Sequence, residues 1–258
     1  MATAADKATE ALDTLHEQGW GVLVGLPLST AILANTGMGR HEEAAELLNR
    51  SVPDAMFRTV FGIQYLRARG HHYLATDRAF AALNDFETCG RLMRDRNANL
   101  EQGIPWRIDL AQANLRIGKV RTAKEWAEKH IRLPGGYSTR SRAIALRVLA
   151  GASQPHHRTS LLRESIDLLK TCGDRLELAL AFADLSAAHY ELGEYARARL
   201  VARQAAQEAE RCHVQSPVRN RLVSPEQSHA SGPQGSAPHP QRRRVPGRRA
   251  RRPGVHQP

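Results

Sequence analysis

The sequence predicts an all-α protein: an α-solenoid of antiparallel helix pairs, followed by a disordered basic C-terminal tail. Three observations point there. Hydrophobic residues make up 41% of the 258 residues but aromatics only 5%, so Ala and Leu must do the packing, which favours helices over sheets. Proline is scarce between Pro53 and Pro155, and apolar residues recur there at spacings of three and four, the period of a helix with one buried face. Four stretches also align with one another, the mark of a repeat. They are Ile32–Leu48 (ILANTGMGRHEEAAELL), Gly70–Phe86 (GHHYLATDRAFAALNDF), Ala111–Ala127 (AQANLRIGKVRTAKEWA) and Ser186–Ala202 (SAAHYELGEYARARLVA).

The chain opens on ATAADKATEALDTLHEQGW, which reads as the second helix of a pair whose first helix is missing. Gly21–Leu28 (GVLVGLPL) is the most apolar window and by itself is too short to span a bilayer. Each aligned stretch then reads as a helix, a break and a second helix. The breaks fall at Gly39, Asp77, Gly118 and Gly193, residues that adopt turn conformations at little cost. Five residues after each break stands a small residue, Ala44, Ala82, Ala123 or Ala198, as a close crossing of two helices demands.

Successive breaks are 38, 41 and 75 residues apart. The last spacing is about twice the others, so it conceals a degenerate unit between Tyr137 and Cys172, with TRSRAIALRVLAGA and TSLLRESIDLLKTCG as its helices. The last repeat fits the tetratricopeptide (TPR) pattern, placing Phe182, Leu185, Gly193, Tyr195, Ala198 and Ala205 at packing positions. Gly70 and Tyr73 do the same in the second repeat, and Pro134 ends the third. The expected organisation is a TPR-like domain over residues 1–212 and a tail over 213–258.

The net charge of +11 is unevenly placed. Residues 213–258 carry nine Arg, no Lys and one acid (Glu226), leaving about +3 for the first 212 residues, an unremarkable value. Arg242–Pro258 holds seven arginines (Arg242, Arg243, Arg244, Arg248, Arg249, Arg251 and Arg252) with three prolines and two glycines. Such a segment has too little apolar surface to offset the entropy of ordering, so it is expected to be disordered and trypsin-sensitive.

Catalytic signatures are missing. Gly118-Lys119 is followed by Val120 and lacks the upstream glycine of a phosphate-binding loop, and no GxGxxG, HExxH or GxSxG occurs. No enzyme activity, cofactor or nucleotide hydrolysis is expected. HEEAAE at His41–Glu46 reads as a solvated helix start. The adjacent pairs His71-His72 and His156-His157 diverge on a helix and cannot chelate one ion, which favours surface or hairpin roles over metal binding. Trp20, Trp106 and Trp126 are read as core or inter-repeat packing before a ligand platform. Arg107, Arg116, Arg121 and Lys124 form either a solvated face or a groove for an acidic ligand. Cys89, Cys172 and Cys212 are odd in number and widely spaced, as expected of small buried residues in a reduced, cytoplasmic protein.

Ile104–Ile131 (IPWRIDLAQANLRIGKVRTAKEWAEKHI) and Arg175–Cys212 (RLELALAFADLSAAHYELGEYARARLVARQAAQEAERC), with the GW…GLPL run at Gly19–Leu28, resemble the sensor repeats of large LuxR-type ATP-binding, MalT-like transcriptional regulators. The resemblance covers roughly residues 1–212. It implies a helical-repeat sensor of a protein partner or a small inducer, without the family's nucleotide-binding motifs. It also implies a helix-turn-helix near residue 240, where the arginine-rich tail stands instead. Under GC-rich codons, a shift of one nucleotide turns Ala237–Gln241 into RLTPS and Ala250–Pro258 into RAARGFTNR, similar to the opening of a LuxR-type helix-turn-helix. The tail therefore reads as a frameshifted DNA-binding domain. The alternative is a flexible polycationic arm binding nucleic acid without sequence preference.

Overall fold

A computed structural model describes residues 2–14, 17–95, 104–133, 138–212 and 214. All described residues belong to one compact unit, Met1–Val223. They form twelve α-helices and no strand. Helices α1 (Ala2–Thr14) and α2 (Glu17–Trp20) lead through a 3₁₀ turn, Gly21–Val24, into five helix pairs: α3 (Gly25–Met38) with α4 (His41–Leu48), α5 (Val60–Ala75) with α6 (Ala79–Asp95), α7 (Trp106–Arg116) with α8 (Val120–Ile131), α9 (Thr139–Gly151) with α10 (Pro155–Cys172), and α11 (Arg175–Glu191) with α12 (Tyr195–Arg211). The fold is an all-α, TPR-like solenoid of antiparallel helix pairs.

The turns show why the sequence marks some pairs and hides one. Gly39, Gly118 and Gly193 sit at φ of 78°, 80° and 76°, and Asp77 at 58°, the left-handed region that glycine and aspartate tolerate best. Each lets the chain reverse and satisfy the last carbonyls of its helix, as in the Gly39 N–H donated to Thr36. The α9–α10 turn needs no left-handed residue: Ala152 stays at φ −92° and Pro155 begins α10. Backbone bonds such as Ser153 N–H to Ala150 O (3.0 Å) are joined there by side-chain bonds, Ser153 Oγ to Leu149 O (2.7 Å) and Arg158 Nη2 to Ser153 O (3.1 Å). That is why this pair lacks the glycine signature.

Ala44, Ala82, Ala123 and Ala198 are all buried on the second helix of their pairs. At Ala198 the approach is close enough for Ser186 Oγ on α11 to donate to the Ala198 carbonyl at 2.9 Å. The degenerate pair repeats the device, with Ser165 Oγ donating to Ala143 O at 2.7 Å. Gly70 faces the Phe86 ring so closely that a Cβ would stand 2.4 Å from it. Phe182, Leu185 and Ala205 are buried, and Tyr73 is half-buried under the Arg78 guanidinium, 4.4 Å from its ring centroid. Tyr195 departs from its expected packing position. It is 52% exposed, because it is the first residue of α12 and its ring meets only the edge of Tyr190, at 5.1 Å, on the preceding helix. Pro134 and the tail arginines lie outside the described residues.

The apolar interior runs as successive clusters between neighbouring pairs. One is built around Leu28, Ile32 and Met56, the next around Ile63, Phe86 and Trp106, then Ile108, Ala127 and Ile144, and finally Leu162, Leu169 and Phe182. This nearest-neighbour arrangement is the solenoid's source of stability. The Gly21–Leu28 window continues into α3. The combined stretch Gly21–Met38 is long and apolar enough to cross a membrane, but more than half of it is buried inside the protein, with Leu28, Ala31 and Ile32 fully enclosed. It serves as a core helix here. Trp106 is fully buried beside Trp126, with ring centroids 5.6 Å apart. Of the three thiols, all free, only Cys89 is buried. Cys172 and Cys212 lie at helix C-termini, where each donates to the carbonyl three residues back and neither needs to be enclosed.

Burial also reaches titratable groups. His130 on α8 is fully enclosed, and burial together with the nearby Arg107 charge pushes its imidazole down to about 4. The unfolded chain, with a histidine near 6.5, therefore takes up a proton that the folded chain refuses between pH ~6.5 and ~4. Stability must fall as pH drops through that window. The melting temperature is expected to decrease between pH 7 and pH 4.5, by clearly less in His130→Phe than in the parent. Equal slopes for the two chains would show that His130 plays no part.

Candidate functional site

The first helix of each pair faces a common groove of about 780 Å³, lined from α3, α5, α7, α9 and α11 with contributions from α4 and α10. Its polar lining is Thr36, His41, His71, Gln112 and Arg116 from the first three pairs and Arg147, Arg158, Glu177 and Asp184 from the last two. Between these polar groups lie Leu74, Leu115, Val148, Leu180 and Ala187. This mixture of apolar and polar groups suits ligand binding.

Ion pairs between successive repeats fix the walls. On α5, Arg67 gives both Nε and Nη2 to the carboxylate of Asp109 on α7, and His71 Nε2 lies 2.9 Å from the same carboxylate. Asp109 is only 2% exposed. Burial alone would push its carboxyl up, but Arg67 and His71 outweigh that and hold it well below the usual carboxylate range. Farther along, the buried Arg147 on α9 donates Nη2 to Glu177 (2.9 Å) and Nη1 to Asp184 (3.0 Å), both on α11. Arg158 joins α10 to Glu191 at 2.7 Å. Outside the groove lining, Arg69 grips Asp85 with two 2.8 Å bonds and ties α5 to α6.

None of the repeat-packing residues singled out in the sequence lines this groove. Of the basic cluster around the third pair, only Arg116 reaches it, paired with Asp77. Arg107 stacks over Trp106 at 4.4 Å, Lys124 pairs with Glu128 at 4.0 Å, and Arg121 is exposed. The histidine pairs divide. His71 turns to Asp109, whereas His72 is buried next to His41, with centroids 6.2 Å apart. His41 is thus half-buried rather than a solvated helix start. His156 and His157 are exposed. Among the described residues no three His, Cys, Asp or Glu gather as a metal site.

The key residues missed by the motif search are Asp109, Asp184 and the arginines that meet them. A signal was present: each acid stands nine residues before its turn glycine, Gly118 or Gly193. The arginine partners occupy no common repeat position, and superposing repeats could not have found them.

No family model matches the chain, and no curated protein matches it. Among solved structures, a Rap protein complexed with competence and sporulation factor overlays with a TM-score of 0.64 at 14% identity, over 84% of this chain. This chain corresponds to 62% of that protein's length. The apo form of RapI (TM-score 0.48, 10% identity, 87% of this chain and 64% of that one) and BtubC (BKLC) from P. vanneervenii (0.49, 14%, 95% and 93%) are more distant in fold. The first likeness is one of helical-repeat architecture. None of the three shows a relationship to LuxR-type regulators.

Proposed function

We propose that the chain is a non-catalytic, cytoplasmic helical-repeat module that senses or docks a partner in the groove between its first helices. The observation carrying this reading is the groove itself, to which all five pairs contribute and whose polar walls are held by buried inter-repeat ion pairs. The Rap structure was solved with competence and sporulation factor bound, so a likeness of fold accompanies a binding role there. The sequence resemblance at Ile104–Ile131 and Arg175–Cys212 supports the finer reading, a sensor fragment of a LuxR-type regulator. Reading the gene in three frames beyond codon 215 tests that origin.

Binding in the groove is tested by selecting peptides from a random octapeptide display library on the full chain. Selected peptides are expected to lose affinity for Ala187→Trp, which fills the groove from α11, while its melting temperature holds. Binding indifferent to that substitution would move the ligand elsewhere and overturn the reading.

The seven arginines of Arg242–Arg252 favour a second reading, non-specific nucleic-acid binding. Duplex DNA affinity is then expected to fall steeply with added salt, because each neutralised phosphate releases counterions, and to vanish when all seven are changed to Gln. A hundredfold preference for one duplex sequence at physiological salt would instead mark the tail as a recognition element and end the frameshift account.

A further inference from the structure

We infer that the groove takes an extended acidic peptide, with one of its carboxylates held by Arg158 beside Arg147. The inference rests on the groove-binding reading above and names its ligand class. Reach argues for an extended chain: the groove draws residues from all five helix pairs, and an extended peptide spans about 3.3 Å per residue against about 1.5 Å in a helix.

Charge and hydrogen-bonding capacity argue for acid. Of the arginines lining the groove, Arg147 takes up both lining carboxylates, Glu177 and Asp184, while Arg116 and Arg158 are answered only by the exposed Asp77 and Glu191. The Nε groups of both Arg147 and Arg158 are buried without an acceptor among the described residues. A guanidinium nitrogen only donates, so the complement the groove calls for is an acceptor. Arg147 itself is 7% exposed and is held by two partly buried acids, a fixed positive element of the wall. Arg158 is the exchangeable one. Its partner Glu191 has a side chain 46% exposed, and so open a pair contributes little. A peptide carboxylate can displace it and bind the guanidinium in bidentate fashion. Leu115, Leu180 and Ala187 nearby then receive the peptide's aliphatic side chains.

The octapeptide selection, made on the full chain, provides the test. Selected sequences are expected to be enriched in Asp and Glu over Lys and Arg. Arg158→Gln, which also removes the bond to Ser153 O and is therefore compared at a temperature where both chains are fully folded, should weaken them about tenfold or more, the loss of one charged hydrogen-bonding partner. The full-length variant with Arg242, Arg243, Arg244, Arg248, Arg249, Arg251 and Arg252 changed to Gln should bind as the parent does. Neutral or basic peptides that Ala187→Trp still blocks would overturn the acidic assignment and leave groove binding intact. Acidic peptides lost with the tail substitutions but kept by Arg158→Gln would place them on the tail and overturn it. No enrichment at all would bring down the groove reading and this inference with it.

Discussion

Replacing Asp109 with alanine is expected to destabilise the protein by about 3–5 kcal/mol, the usual consequence of leaving a buried charge without its partner. The carboxylate accepts two hydrogen bonds from Arg67 and lies 2.9 Å from His71. Without it the Arg67 guanidinium, its side chain 20% exposed, stays between α5 and α7 with no carboxylate to compensate its desolvation and only His71 Nε2, 3.4 Å away, beside it. A loss of that size is a large share of a domain's net stability. Asp13→Ala supplies the contrast: its pair with Arg50 lies on the surface and should change stability by less than about 1 kcal/mol. Urea melts of the two variants provide the comparison, and equal midpoints would deny Asp109 its structural role. Because the folded carboxyl titrates below the unfolded one, its contribution is complete above pH ~4 and is lost only as pH falls through the lowered value. The difference between parent and Asp109→Ala should therefore be constant through neutral pH.

Ala198→Glu is expected to cost several kcal/mol by a different route, burying a carboxylate with no partner in a close helix crossing. Ala198 is fully enclosed where α12 meets α11, and its carbonyl accepts the Ser186 hydroxyl. A glutamate there must either ionise in an apolar gap or force the pair apart, which also breaks that hydrogen bond. Tyr195→Ala, three residues earlier on the same helix, removes a larger side chain but a half-exposed one. It should change stability by about 1 kcal/mol or less, the worth of one ring contact. An unchanged melting curve for Ala198→Glu would show that the crossing is not tight.

The sequence alone was enough to determine the hairpins. A left-handed turn needs Gly or Asp, and a close crossing needs a small residue five positions later. Both demands act within one pair, so Gly39, Asp77, Gly118 and Gly193 with their alanines stand out in a short window. The α9–α10 pair escaped that signature because its turn uses Ser153 and Arg158 side chains in place of a glycine. What only the tertiary structure decided is which charges meet. Arg67 and Asp109 are 42 residues apart, and Arg147 and Asp184 are 37 apart. Their encounter depends on how one pair stacks on the next, and that stacking is set by apolar surfaces such as Trp106 against Gly90 rather than by the charges themselves. The groove follows the same rule: its walls draw on seven helices, and no single stretch of sequence contains the surface a ligand would meet.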